Sequence, residues 1–348
     1  MKTVGIVGYG GMGKHHAGSM AEVEGIQVKA VHDVNAKRLE LAQENGLLAY
    51  ESIENFLADD EIEIVIVATP NNFHKENCIA ALRAGKHVIC EKPVMMNAQE
   101  LVEVQAIALE CGRLFSVHQN RRWDEDFLIV KKVIEDGTIG TPYYIESRVQ
   151  GAKGVPGDWR CAKGAGGGML LDWGIHLIDQ IIRLDTSPIV EIYAHLLTVK
   201  FCDVDDNFKI MFKFESGTSG FVEVDTNTFI NLPRWHVSGT DGTMVVSGWD
   251  CSGQIAKSIV EAIHLEESIV ITAAGPTKTM APRPVGSVEH LPLPRIESDS
   301  RDYYKNFIAT IDGREDLLVK PEESLRLMKI IDAIFESAQR GEVVKGKY

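Results

Sequence analysis

The sequence predicts an α/β protein in which a doubly wound parallel sheet is followed by an α+β half rich in antiparallel hairpins. Three observations predict it. Up to residue 120, wholly apolar segments alternate with segments of helical period, the pattern of a parallel sheet covered on both faces. A Gly8-x-Gly10-x-x-Gly13 string sits between the first apolar segment and the first helical one. After Asn120 the apolar period falls to two, and the turn pairs Ser216-Gly217 and Asp241-Gly242 join such segments.

Taken in order, "TVGIVGYG" precedes the helical "GKHHAGSMAEV", and "QVKAVHDV" precedes "NAKRLELAQENG". "EIVIVATP" leads into "NNFHKENCIAALRAG", "HVICEKP" into "NAQELVEVQAIALECG", and "RLFSVHQN" closes the series. Helices stop at Gly46, Gly85 and Gly112, where a left-handed cap calls for glycine. The first domain is therefore expected over 1–120 and the second over 121–348. In the second, "PYYIESRVQ", "VEIYAHLLTVK", "FKIMFKF", "SGFVEVDT" and "GTMVVSGWD" read as strands around one long helix, "GGGMLLDWGIHLIDQIIRL" (166–184). Residues 275–297 hold five prolines and read as a surface loop or arm. Two closing helices are expected, one from Ser298 or Asp299 to Gly313, the other from Pro321 to Gly341.

Composition narrows the classes of partner. The 348 residues carry a formal charge of −14, and no run of Lys or Arg exceeds two residues, so nucleic acid and anionic membrane are not expected as partners. No apolar run approaches the ~20 residues of a spanning helix. The opening "MKTVGIVGYG" enters a strand and a glycine loop rather than a signal peptide, and a cytoplasmic location is expected. Cys78, Cys90, Cys111, Cys161, Cys202 and Cys251 are far apart with no Cys-x-x-Cys pair, which suits reduced thiols and supports no zinc site.

The glycine loop is weak evidence as a bare string, but its position strengthens it. Gly8 allows a tight turn, Gly10 lets a pyrophosphate approach the backbone, and Gly13 lets the helix pack on the strand. Gly11 and Met12 complete the loop. Asp33 ends the second strand about 20 residues on, where a carboxylate accepts hydrogen bonds from adenosine ribose hydroxyls. That carboxylate repels a 2′-phosphate and favours NAD over NADP, although Lys37 and Arg38 lie close enough to oppose it.

The long helix carries Asp172, His176 and Asp179 at i, i+4 and i+7, within an arc of about 60° at ~100° per residue. Two readings of this stripe are open: a solvated face, or the edge of an active site. A metal site on the three is a further reading, without any other His or Cys cluster to support it. Lys92, in "VICEKPVM", ends a parallel strand on the edge that lines the ligand crevice, yet a plain surface lysine fits as well.

Together, the glycine loop, "ATPNNFH" (68–74), "EKP" (91–93), "NRRW" (120–123), "DWR" (158–160) and "GGGMLLDWGIHLID" (166–179) resemble, in that order, the Gfo/Idh/MocA family. The likeness runs through the closing "RLMKIIDAIFESAQRGEVV". The resemblance implies an N-terminal Rossmann domain binding NAD(P), and a C-terminal α+β domain with a large, mainly antiparallel open sheet that packs homodimers or homotetramers. The closing helices (299–340) are expected to pack back on the Rossmann domain. It implies oxidoreduction of a sugar or cyclic polyol with Lys92, Asp172 and His176 catalytic, and a Lys92–Pro93 bond that is often cis. Thr69, Asn71, His74 and Glu91 fall in the segments that border the cofactor, beside Arg38 and the glycine loop. Asn120, Arg121, Trp159, Arg160 and Lys163 fall in segments near the substrate, with Lys92, Asp172 and His176. Arginines 121 and 122 have a plainer reading as surface partners of Asp124, Glu125 and Asp126.

In chemical terms, oxidising a secondary alcohol needs a group that takes the hydroxyl proton and a charge that steadies the alkoxide. An imidazole at 176 and an ammonium at 92 supply these, while Asp172 either orients the imidazole or accepts from a neighbouring hydroxyl. The expected function is an NAD-dependent dehydrogenase acting on an inositol- or pyranose-type hydroxyl, with no metal. Two alternatives stand beside it: a glycoside-processing enzyme passing through a transient keto sugar, and a non-catalytic sugar-sensing regulator.

Overall fold

The computed structural model describes residues 1–200, 203–260, 269–278 and 283–348, so Cys202 and part of the proline-rich segment lie outside it. The apolar runs of the first domain become β1 (Lys2–Val7), β2 (Ile26–His32), β3 (Leu48–Tyr50), β4 (Ile64–Val67), β5 (His87–Cys90) and β6 (Phe115–Val117). They form one parallel sheet in the order β3-β2-β1-β4-β5-β6. All of β4 is buried, as a strand covered on both faces must be. Each such Ile or Val contributes roughly 1.5–3 kcal/mol by leaving water. The chain order reverses between β1 and β4, and the strand ends on either side of that point hold Gly8, Asp33, Ala68 and Glu91. A ligand crevice belongs at this reversal.

The second domain is built on a nine-stranded sheet. Its strands are β7 (Pro142–Gln150), β8 (Ile189–Leu197), β9 (Asn207–Phe214), β10 (Ser219–Asp225), β11 (Trp235–Gly239), β12 (Gly242–Val246) and β13 (Gly253–Ser258). A separate two-stranded hairpin, β14 (Val270–Thr272) and β15 (Gly275–Thr277), follows; β16 (Val288–Leu291) and β17 (Val344–Lys345) close the edges of the large sheet. All neighbours in the large sheet run antiparallel except β7 and β10. Ser216-Gly217 and Asp241-Gly242 make the expected hairpin turns.

The stretch expected to be only loop therefore contains strands. Among the described residues β15 pairs only with β14, where Pro276 costs no ladder bond from a central strand, and β16 adds to the edge of β13. Helix Glu125–Glu135, not singled out from the sequence, packs on the sheet through Trp235 Nε1, which donates to Asp126 Oδ2 at 2.8 Å. The first closing helix runs Asp302–Ile311 rather than from Ser298, because Ser298 Oγ donates to Trp123 O and Asp299 accepts the Arg301 amide in a preceding turn. The second runs Pro321–Arg340 and ends on Gly341 at φ +67°. Both touch the first domain: Tyr304 Oη of the first lies 2.8 Å from His16 Nδ1, and the Ala98 amide donates to Asp332 Oδ2 of the second at 3.0 Å.

Candidate active site

At the chain reversal the backbone leaves no room for side chains. Gly8 has φ +93°, and a Cβ there would lie 2.6 Å from Ala68 O; at Gly13 it would lie 2.1 Å from Gly8 O. At Gly11 nothing stands within 4 Å, so space is open where the helix Gly11–Ala21 begins. No side chain caps that helix, which leaves its first N–H groups for an anion. Asp33 is buried and accepts from the Tyr9 amide at 2.8 Å, the Asn35 amide at 2.8 Å and Arg38 Nη1 at 3.2 Å. Thr69 Oγ1 is buried and, among the described residues, has no partner. An open glycine cradle, bare helix amides and an orphaned hydroxyl fit a dinucleotide.

From this cradle a pocket of about 450 Å³ extends to the second domain. Gly10, Gly11, Met12, Arg38, Thr69, Asn71, Glu91 and Lys92 line one side, and Asp158, Trp159, Arg160 and Asp172 the other. The Lys92–Pro93 bond is cis. Lys92 Nζ lies 3.1 Å from Asp172 O and 3.4 Å from Asp172 Oδ1, and Arg160 Nε reaches the same oxygen at 3.4 Å.

Three glycines permit this approach of the helix start, and each is crowded by a different neighbour. A Cβ on Gly166 would meet Met96 Sδ at 2.7 Å, on Gly167 the Arg160 carbonyl at 2.2 Å, and on Gly168, at φ +109°, Asp205 Oδ1 at 2.3 Å. The helix opens with a π-type turn, Leu170–Gly174, before the α-helix Ile175–Leu184. Asp205 holds that opening: Oδ2 accepts the Leu170 amide at 2.7 Å and its carbonyl accepts the Met169 amide at 2.9 Å. Burial, with Asp206 nearby, pushes the Asp205 carboxyl up to about 7 against the pull of these amides.

The π turn matters for the stripe, because a wider turn shifts Asp172 off the regular helical phase. His176 is buried with Nδ1 unpartnered, and among the described residues no hydrogen bond joins it to Asp172. Of the two roles open to Asp172, orienting the imidazole is not seen. Burial, then the charges of Lys92 and Arg121, hold the His176 imidazole well below its usual range, so it stands neutral. Asp179 is elsewhere again: Arg122 grips it with two bonds of 2.8 and 2.7 Å, which removes it from any metal set with Asp172 and His176.

The remaining candidates divide. Asn120 Oδ1 is buried and, among the described residues, unpartnered. Arg121 pairs with Asp124 and stacks on Trp173 at 4.1 Å, and Arg160 stacks on Trp159 at 4.6 Å. Lys163 is exposed and does not line the pocket. Asn71 Nδ2 donates to Gly166 O at 2.7 Å, tying the two domains together at the glycine run. His74 has Nδ1 on Pro93 O and Nε2 on Thr69 O, both at 2.9 Å, so it braces the cofactor-side loops from behind. Sequence reasoning missed Asp205, which no spacing ties to residue 170, and a buried cluster of His16, Glu91 and His118. The middle of the helix Gly11–Ala21 and the ends of β5 and β6 bring that cluster together, and only the fold shows it.

Residues 2–119 match the description "Oxidoreductase family, NAD-binding Rossmann fold", and residues 127–245 match "GFO/IDH/MocA C-terminal domain". The chain belongs to the GFO/IDH/MocA family. As a member it is an oxidoreductase with an NAD-binding Rossmann domain. It is 29% identical over 347 residues to the scyllo-inositol 2-dehydrogenase (NADP(+)) IolW of Bacillus subtilis, covering 98% of this chain and 95% of that one. It is 28% identical over 228 residues to a myo-inositol 2-dehydrogenase of Thermotoga maritima, covering 63% and 67%. The structure of an NAD-binding protein from Listeria innocua superposes with a TM-score of 0.95 at 43% identity, covering 99% of each chain. Among the described residues no helix is long and apolar enough to cross a membrane.

Proposed function

We propose that this GFO/IDH/MocA protein is an NAD-dependent dehydrogenase that acts on a ring hydroxyl of a neutral sugar or cyclic polyol, of inositol or pyranose type. The observation that carries the reading is the meeting of Lys92 Nζ and Asp172 Oδ1 at 3.4 Å, across the mouth of the dinucleotide pocket. Beside them stands an imidazole with an unused nitrogen. Bound NAD supplies the hydride acceptor for the alcohol carbon. His176 takes the hydroxyl proton, which a neutral, unpartnered Nδ1 can do. Lys92 donates to the same oxygen as charge develops on it. Asp172 accepts from a neighbouring hydroxyl once Lys92 turns to substrate.

Support for a neutral substrate comes from the cleft cations, which are already matched: Arg160 by Asp158 and Asp172, Arg121 by Asp124. The inositol dehydrogenases among its relatives support the polyol class. Thr69, Asn120, Arg121, Trp159 and Arg160 belong to the same reading as cofactor or substrate neighbours. So does a homodimer or homotetramer through the outer face of the large sheet. There Tyr193, Met211 and Phe221 align on β8, β9 and β10, and the first two are each 45% exposed.

The test is appearance of reduced cofactor with NAD, then NADP, over inositols, free sugars, sugar acids and glucosides, with Lys92→Ala in parallel. Turnover that Lys92→Ala abolishes supports the reading. Keto-sugar products without net cofactor reduction would favour the transient-oxidation alternative. NAD binding without any turnover would favour a regulator.

A further inference from the structure

Behind Lys92, four side chains from four chain segments meet in a closed circuit. His16 comes from the helix that follows the glycine loop, Glu91 from the end of β5, His118 from beyond β6, and Tyr304 from the helix Asp302–Ile311. Glu91 Oε1 lies 2.9 Å from His16 Nε2 and 2.7 Å from His118 Nδ1. The other ring nitrogens both face one phenol: His16 Nδ1 at 2.8 Å and His118 Nε2 at 3.3 Å from Tyr304 Oη. All four residues are buried.

The count of protons decides the state of this circuit. Four contacts need four protons, and each must lie between a donor and an acceptor. Two neutral imidazoles and a phenol bring three, and a carboxylate brings none. With three protons, one imidazole lone pair faces a phenol lone pair, and a buried net negative charge is left over. A fourth proton fills every contact and makes the set neutral overall, which burial favours strongly. Glu91 stays ionised despite its burial because the charge and hydrogen bond of His118, then those of His16, hold its carboxyl well below the usual range. Burial and then the charge of His118 lower the His16 imidazole against the pull of Glu91. It is the geometry, four donor–acceptor contacts with one phenol among them, that calls for a fourth proton shared by the two imidazoles. Glu91 Oε2 meanwhile accepts the backbone N–H of Lys92 at 3.2 Å.

We propose that His16, Glu91, His118 and Tyr304 form a four-proton ring that acts as a positioning unit for Lys92, locking the peptide that presents its ammonium to substrate. Its catalytic consequence rests on the dehydrogenase reading above; its proton count does not. The ionisable groups around it are Tyr303, whose ring meets His118 edge-on at 5.0 Å, with Cys90, His74, Lys92 and His176 on the Glu91 side and His15 beside His16. Raising the pH removes the fourth proton, opens the ring and frees the Lys92 peptide. Activity is then lost on the alkaline side.

The direct test is nitrogen NMR of the whole protein, labelled at histidine, near neutral pH, with His16 and His118 assigned by the spectra of His16→Asn and His118→Asn. Three protonated nitrogens among the four are expected; two would overturn the ring. Metal analysis of the purified protein adds a second outcome, since a stoichiometric divalent ion on His16, Glu91 and His118 would also overturn it. Tyr304→Phe then tests the role. NAD affinity and KM are expected to hold, kcat to fall about tenfold, and the alkaline limb of the kcat profile to move to lower pH. Loss of thermal stability with an unmoved pH profile would mean a merely structural contact and would overturn the positioning role. If Tyr304→Phe does not fold, the nitrogen count on the unaltered chain still decides. That count uses no substrate, so it stands or fails separately from the proposed activity.

Discussion

Arg122 and Asp179 form a two-bond fork inside the protein, Nε to Oδ2 at 2.8 Å and Nη2 to Oδ1 at 2.7 Å, with Glu323 Oε2 on the remaining Nη1. The fork joins the segment that leaves the Rossmann domain to the helix that carries Asp172 and His176. Removing one partner strands a buried charge, a loss of ~3–5 kcal/mol in comparable pairs. Asp179→Ala is expected to lose about 3 kcal/mol, the lower end of that range, because Glu323 still faces Arg122. Urea unfolding measures it. Substrate KM is expected to stay put in the folded fraction; a large rise in KM at unchanged stability would place Asp179 at the substrate instead.

His176 makes a separate prediction, in pH. Its imidazole is depressed by burial first and by Lys92 and Arg121 next, so the neutral base persists on going to acid. The acid limb of kcat/KM set by this group is expected below pH 6.5. His176→Gln is expected to cost about 10²–10⁴-fold in kcat, the usual worth of a positioned base. An acid limb at or above the ordinary histidine range that vanishes in His176→Gln would contradict the depressed imidazole.

What a sequence makes legible is set by the range over which its residues act. Gly8, Gly13 and Asp33 act through neighbours one strand or one turn away, so spacing exposes them. Lys92 and Asp172 meet across two domains, and family likeness rather than periodicity pairs them in the sequence. The stripe read from the sequence sets Asp172, His176 and Asp179 at helical spacing. Its polar residues do share a helix, but a π turn and a bidentate arginine split them into a pocket carboxylate, a buried imidazole and a structural ion pair. Asp205 and the His16–His118–Tyr304 contacts depend on tertiary packing over long sequence distances, and no local pattern records such partners.

Asp205 predicts a pH dependence of stability. Its carboxyl is raised to about 7 in the fold, against ~3.9 in an unfolded chain. Between those values the folded protein keeps a proton that the unfolded chain has released. This contribution is therefore complete below about pH 4, and it is lost as pH rises towards 7. Asp205→Asn keeps an oxygen for the Leu170 amide but cannot ionise. Its stability relative to the parent is expected to improve as pH rises through that window, measured by denaturation at several pH values. Parallel curves would show that Asp205 does not titrate there.

The outer sheet face gives a test of assembly. Met211 lies between Tyr193 and Phe221 in cross-strand register, so a charge at its centre falls on the whole apolar row. Met211→Glu is expected to shift a dimer or tetramer to monomer by light scattering after gel filtration, with secondary structure intact. An unchanged assembly would put the interface elsewhere.

Cofactor choice turns on Asp33 and Arg38. The Asp33 carboxylate is held in place by two backbone amides, while Arg38 reaches one of its oxygens from a half-exposed position at the mouth of the pocket. In this arrangement the carboxylate faces any 2′-phosphate and neutralises the arginine that could bind one. Asp33→Ser removes the repulsion and releases Arg38 at the same time, so both effects favour NADP. The ratio of kcat/KM for NAD to that for NADP is expected to fall at least about tenfold, ~1.4 kcal/mol. Adding Arg38→Ala to Asp33→Ser should restore part of the lost NAD preference, because the freed guanidinium is then gone. If Asp33→Ser weakens NAD and NADP alike, the carboxylate shapes the loop rather than selecting the cofactor.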